Sequence, residues 1–194
     1  MRQADDDSDL IAAALRGSSF AWNSLVQRYE KRIYNMGLRL TGNPSDAMDL
    51  MQDVFLGVYR NLHRFRGDSR FSSWIYRIAH NKAMDINRRR KIMAWVRTDD
   101  QEELFAVDGL EADQQSEPLN QVSDDERNQF LMKCLAEVPF EQRLLVELKV
   151  YQSRTFEEIA EIQDISVNTA KTRFYTALRK LRSHLEESDV VSED

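Results

Sequence analysis

The sequence predicts an all-α protein: two small helical domains joined by an acidic flexible linker, the second a helix-turn-helix domain. Three observations predict this. Gly (6) and Pro (3) are scarce among 194 residues, while good helix formers such as Leu, Ala, Arg and Glu are common. Apolar residues recur at steps of three and four between residues that cap helices. Charge also divides the chain. Residues 1–97 carry 17 basic and 10 acidic side chains, residues 98–126 carry none and 11, and residues 127–194 carry 10 and 12. The formal net charge of −6 thus conceals a basic module, an acidic strap and a mixed module. The domain bounds that follow are 1–97, a linker over 98–123, and 124–194.

Ser8 is placed to cap a short helix, DLIAAALR, ending at Gly17. Ser18 or Ser19 opens a longer helix with Trp22, Leu25, Val26, Tyr29, Ile33, Met36 and Leu40 on one stripe, closed by Gly42. Asn43-Pro44-Ser45-Asp46 is a strong helix start. In the helix that follows, roughly 44–63, Ala47, Leu50, Met51, Val54, Val58 and Leu62 form the buried stripe. Asp49, Gln52, Asp53, Leu56 and Arg60 fall largely on the other side. An exposed acidic face carrying a leucine is either a docking surface or a merely solvated one. Phe65 to Ser69 reads as a turn, with Ser69 or Ser72 capping the next helix. Along it Phe71, Ile75, Ala79 and Ile86 point one way, and Trp74, Arg77, Asn81 and Arg88 lie near another stripe.

Residues 98–126 contain no basic residue and no sustained apolar period, so they read as a linker, with Leu104, Phe105, Val107 and Leu110 as local anchors. The second domain starts with a helix over about 125–137 presenting Phe130, Leu131, Cys134, Leu135 and Val138. Pro139 interrupts, and a second helix shows Leu144, Leu145, Leu148 and Val150. Thr155-Phe-Glu-Glu158 is a capping box opening a short helix through Ile162. Gln163-Asp164-Ile165 makes a turn, and Ser166 caps a last helix to about Glu187. There Ala170, Phe174, Ala177, Leu178, Leu181 and Leu185 face the core, while Lys171, Thr172, Tyr175, Arg179 and Arg182 face outward. A capped short helix, a tight turn and a basic amphipathic helix form a helix-turn-helix, whose second helix enters a DNA major groove.

Residues 60–97 hold 11 Lys/Arg against Asp68 and Asp85, interleaved with Phe65, Phe71, Trp74, Tyr76 and Trp95. Cations attract a phosphate backbone without reading sequence, and aromatic rings offer stacking faces to unpaired bases. The pattern points to opened nucleic acid; it also fits a solvated basic helix over an aromatic core. Trp74 either contacts DNA or supports the loop from a half-buried position. The single Cys134 sits at helical spacing and reads as a small buried hydrophobe. His63, His80 and His184 are scattered, and no Gly-rich phosphate loop, HExxH or GxSxG occurs. The chain is therefore expected to be no enzyme and to need no cofactor or metal. With an acidic start and no apolar run near ~18 residues, it is expected to be cytoplasmic.

Two runs, LTGNPSDAMDLMQDVFLGVYRNLHRFRGDSRFSSWIYRIAHNKAMDINRRRK and LAEVPFEQRLLVELKVYQSRTFEEIAEIQDISVNTAKTRFYTALRKLR, closely resemble the two domains of extracytoplasmic-function (ECF) sigma factors of bacterial RNA polymerase, in family order. The resemblance implies a region 2 type domain and a region 4 type domain in a protein that binds core polymerase and directs transcription initiation of a stress-response regulon. It implies core polymerase docking by Asp49, Gln52, Asp53 and Leu56 on the clamp helices of the largest subunit, with the flap as a second contact. For the −10 element, opened and read as single strand, it implies Arg66, Arg70, Phe71, Trp74, Arg77, Asn81, Arg88, Arg89 and Arg90. For the −35 element it implies Ser166, Asn168, Lys171, Thr172, Arg173, Tyr175 and Arg179. It further implies promoter DNA and an anti-sigma factor, membrane-bound in some relatives, as partners of a chain that is monomeric when free. The acidic linker would thread the polymerase cleft toward the RNA exit path. Gln163-Asp164, Ala170 and Thr176 depart from the family pattern, which bears on base preference at the upstream element. A sigma mimic that sequesters an anti-sigma factor, or a helix-turn-helix repressor, are the alternatives. A repressor would want a dimerisation helix, and no heptad seam is visible.

Overall fold

The structure, a computed structural model, describes residues 7–98 and 133–191, with side chains described through 93 and 183. The linker and its anchors, Phe130, Leu131, and the side chains of Trp95 and Leu185 lie outside the described residues.

Among the described residues, four α-helices build the first domain: α1 (Ser8–Leu15), α2 (Ser19–Thr41), α3 (Pro44–Asn61) and α4 (Phe71–Thr98), with a 3-10 turn at Leu62–Arg64. The second holds a helical turn at 133–136, α5 (Phe140–Val146), a π-helical segment at Glu147–Tyr151, α6 (Phe156–Gln163) and α7 (Val167–Val191). Most of the expected boundaries hold. The Ser18 side chain accepts from Ala21 N, Asn43 accepts from Asp46 N behind Pro44, and Gly42 ends α2 at φ 68°. The Thr155–Glu158 capping box is complete, and Ser166 Oγ accepts from Thr169 N at 3.0 Å. Two caps differ. Asp7, not Ser8, holds the N-cap position of α1, and its carboxylate is drawn instead to Arg28 and the Tyr29 hydroxyl. Ser72 lies inside α4 as its second residue, fully buried, and accepts from Arg154 Nη1.

Leu25, Tyr29, Ile33, Met36 and Leu40 of α2 close on Leu50, Val54 and Val58 of α3 and on Phe71, Ile75 and Ala79 of α4. Trp22, Val26 and Met51 are only half-buried. In the second domain Cys134, Leu135, Val138, Leu144, Leu145, Leu148, Ile159, Ala170, Phe174 and Ala177 are buried, and burial pushes the Cys134 thiol pKa up. Two residues expected inside are not. Val150 is 52 % exposed and Leu178 is 38 % exposed. The π segment explains the first: its wider turn advances each residue through a smaller angle, so the stripe set by α5 rotates away before position 150. Glu147 takes the inward place, 2 % exposed.

That glutamate lies on a seam between the domains, which form one continuous core rather than two separate bodies. Arg39 Nε and Nη2 donate to the two Glu147 oxygens at 2.6 and 2.8 Å, and its guanidinium lies 4.0 Å from the Tyr151 ring centre. Burial disfavours the charged Arg39, but the Glu147 carboxylate outweighs it and raises the pKa. Gln152 Nε2 donates to Glu147 Oε1 at 2.9 Å, and Gln152 Oε1 accepts from the buried Tyr76 hydroxyl. Burial pushes the Tyr76 phenol up to about 12, so it remains a donor at neutral pH. Arg154 Nη1 donates to Ser72 Oγ at 3.0 Å, and Arg143 Nη1 to the Leu40 carbonyl at 2.9 Å.

Helices α2 and α3 approach closely at Gly37, where an added Cβ would lie 2.9 Å from the Ala47 Cα. Helix propensity favours Gly37→Ala by about 1 kcal/mol, but a clash with backbone opposes it by about 1–3 kcal/mol. The replacement should therefore destabilise the protein, read as a lower urea midpoint; a higher midpoint would contradict the packing of α2 on α3.

Candidate polymerase and nucleic-acid interfaces

The basic surface rests on an aromatic cluster. Phe65, which follows the 3-10 turn, stacks edge-on against Phe71 with centroids 5.5 Å apart, and Trp74 lies 5.3 Å from Phe65 and 5.6 Å from Phe71. Gly67 turns the loop at φ 78°, a backbone conformation that a Cβ would strain. Trp74 is half-buried and props the loop. Phe71, expected among the −10 residues, is 3 % exposed and points into the core, so in this arrangement it shapes the surface from beneath. Tyr76, expected as part of the aromatic face, is likewise buried, in the domain seam.

Arg66, Arg70, Arg77, Asn81, Arg88 and Arg89 are exposed, but several have partners. Arg77 Nη2 donates to the Glu161 carbonyl at 2.7 Å, and Arg70 lies 3.9 Å from Glu158, both in α6 of the other domain. Arg88 pairs with Asp85 at 2.9 Å. Arg90 pairs with Asp46 and donates to the Thr41 carbonyl, so it ties the end of α2 to α3 and α4. Asn81 meets its neighbour His80 at 3.2 Å. Burial holds the His80 pKa below its ordinary value, against the Asn81 bond and Glu141.

On α3, Asp49, Gln52 and Leu56 are exposed, and Asp53 lies 3.8 Å from Lys82 at a half-open position. The structure adds what periodicity had not: Tyr59 is 66 % exposed and meets Trp22 edge-on at 5.2 Å, with Phe20 79 % exposed at the start of α2. Tyr59 lies three residues after Leu56 and seven after Gln52, a spacing that already placed it on the outer face.

Past the turn, Asp164 takes a left-handed φ of 54° and α7 begins behind its Ser166 cap. Asn168, Lys171, Thr172, Tyr175 and Arg179 are exposed along it. Tyr175 is braced by Phe174 and Phe156, at 5.6 and 6.4 Å. Of the other two expected −35 residues, Arg173 is half-buried and pairs with Glu141 at 3.1 Å, and Ser166 is engaged as the cap. Among the described residues no group of three or more His, Cys, Asp or Glu is placed to hold a metal, and no helix is long and apolar enough to cross a membrane.

Comparison with known proteins agrees with this layout. The Sigma-70 region 2 family matches residues 25–92 and the Sigma-70 region 4 family residues 130–181. The chain is 30% identical over 177 residues to the ECF RNA polymerase sigma-E factor of Escherichia coli, covering 88% of this chain and 90% of that one. It is 29% identical over 179 residues to the RNA polymerase sigma-H factor of Pseudomonas aeruginosa, covering 91% and 92%. In fold it is similar to CnrH, solved in complex with the cytosolic domain of CnrY (TM-score 0.69, 21% identity, 94% and 99% covered). It is also similar to the sigma factor RpoE of Bartonella quintana, solved with the anti-sigma factor NepR (TM-score 0.63, 20% identity, 84% and 96% covered). Two sigma domains in family order, joined across the matched length, make this chain a member of the ECF sigma factors of the sigma-70 family.

Proposed function

We propose that the chain is a cytoplasmic initiation factor that carries out no chemistry of its own: it docks on core RNA polymerase and brings it to promoters, under the control of an anti-sigma factor. The domain over 1–97 docks through Asp49, Gln52, Asp53 and Leu56 on α3. It meets the opened −10 strand with Arg66, Arg70, Arg77, Asn81, Arg88 and Arg89, over the ring of Trp74. The domain over 124–194 reads the −35 duplex with Asn168, Lys171, Thr172, Tyr175 and Arg179. The observation that carries the reading is that outward row on α7, fixed directly behind a tight turn and a hydroxyl cap. A sigma mimic would have no use for it. The acidic linker suits a basic channel that otherwise holds RNA.

Asp49 and Asp53 lie one turn apart, so reversing both to Lys should abolish binding to core polymerase in a pull-down. Helical content should hardly change, since exposed-site changes usually cost under ~0.5 kcal/mol. Undiminished competition for core would remove α3 from the interface.

The Asn81 amide donates and accepts together, which suits the edge of one unstacked base. Asn81→Ala should relax discrimination at a single −10 position by about 1–3 kcal/mol and leave −35 preference intact. Lys171→Ala should do the reverse, weakening capture in a way that a pre-opened −10 bubble does not restore. Transcription from a library randomised at both elements reads both effects. A uniform loss over all −10 sequences with Asn81→Ala would make Asn81 structural.

A further inference from the structure

Helices α3 and α4 pack antiparallel, and three contacts fix their register. Gly57 of α3 faces Ile78 of α4, where an added Cβ would lie 3.1 Å from the Ile78 Cγ2. One turn along, Asp53 meets Lys82 at 3.8 Å, and two turns further Asp46 pairs with Arg90. Each step back along α3 matches a step forward along α4, so the middle pair is held in place from both sides.

That middle pair joins two surfaces with different tasks. Asp53 belongs to the proposed docking face with Asp49, Gln52 and Leu56. Lys82 directly follows Asn81, the amide proposed to read one unstacked base, yet is assigned to neither surface. Among the described residues, Arg77, Arg88 and Arg90 of α4 find partners off the docking face: the Glu161 carbonyl, Asp85, and Asp46 with the Thr41 carbonyl.

The Lys82 and Asp53 side chains are 37 % and 43 % exposed. Each is open to an outside ligand, and parting them leaves neither charge cut off from water. A half-open pair of this kind biases an equilibrium by only about 1.5- to fivefold. That matters little to stability but is enough to link two binding events. Lysine suits the exchange. Its compact charge rides on a flexible four-carbon stem, which lets it turn to a backbone phosphate without any shift of the helix.

We propose that Lys82 is a shared cation: in the free chain it neutralises Asp53, and when a polymerase cation takes its place there it turns to a phosphate of the −10 strand beside Asn81. Docking then strengthens strand capture, and by reciprocity a bound strand strengthens docking by the same factor. The proposal rests on the sigma-factor reading for its two ligands; the exchange of Lys82 between them goes beyond it.

The test uses the full chain and compares Lys82→Met, Asp53→Asn and the two together, with Asp49→Asn and Lys82→Arg as controls. Anisotropy of a fluorescein-labelled single strand of mixed sequence, at low salt, reads strand affinity. Competition against labelled parent reads affinity for core polymerase. Asp53→Asn should tighten strand binding by the free chain about two- to fivefold, more than Asp49→Asn does, and adding Lys82→Met should erase that gain. Lys82→Met alone should weaken strand binding yet tighten core binding, while Lys82→Arg stays near the parent. Adding the strand should raise the parent's affinity for core about two- to fivefold more than it raises that of Lys82→Met. Contacts that polymerase itself makes to the strand are common to both. A lysine that merely supported the fold would not shift the two affinities in opposite directions. A fall in both with Lys82→Met, together with the urea midpoint, would overturn the proposal. So would a gain from Asp53→Asn that survives Lys82→Met or that Asp49→Asn equals. A parent that binds neither core nor strand would sink the sigma-factor reading itself. A parent that binds both, with Lys82→Met unchanged from it, would sink the shared cation alone.

Discussion

The arrangement of the two domains depends on one buried charge pair. Arg39 belongs to the end of α2 and Glu147 to the π segment of the second domain, and their side chains are 20 % and 2 % exposed. Breaking such a pair by removing one partner typically costs about 3–5 kcal/mol, because the other charge stays buried without compensation. Separating the domains is different, since both charges regain water. The pair therefore enforces registry while closed and exacts little once open, which is the behaviour of a bistable contact. Gln152, Tyr76, Arg154 and Ser72 add hydrogen bonds around it, while Arg143 Nε at the same seam is buried with no partner among the described residues. Directional bonds of this kind specify one geometry more sharply than apolar packing alone.

The same seam accounts for most of what sequence reasoning missed. Caps and apolar periods are local signals, so the helices, the Asn43 and Thr155 starts and the Gly42 stop were legible residue by residue. A π-helical turn has no comparable signature. Its effect was to expose Val150 and to carry a glutamate inward, where only a cation from another domain, more than a hundred residues earlier, makes burial tolerable. Tyr76 reads as a surface aromatic until the second domain covers it. Phe71 reads as a stacking ring, yet Phe65, Trp74 and Tyr29 pack around it. Long-range partners decide these positions, and spacing along one helix cannot name them.

At the interfaces the sequence and the structure divide the work differently for each residue type. Exposed polar residues of α7 were legible because one stripe was apolar and the other was not. Basic residues were harder, since Arg90 and Arg173 look like any other surface cation yet are spent on Asp46 and Glu141. Tyr59, exposed beside the acidic stripe of α3 and edge-on to Trp22, gives the face proposed for docking an apolar margin. Charge can steer encounter over such a face, while apolar contact holds it.

The account as a whole requires one chain to exchange an internal partner for an external one. The most direct measurement joins the domains reversibly. In a Lys91→Cys/Glu141→Cys protein lacking Cys134, a short bismaleimide with a reducible disulfide would span two exposed side chains that line one pocket between α4 and α5 in the native protein. Joined and unjoined samples carry the same substitutions and differ only in freedom to open. The account predicts that the unjoined protein supports start-site-specific transcription with core polymerase, that the joined protein does not, and that reduction restores it. Equal transcription from the joined protein would show that the domains need not part, and would contradict the account at its centre.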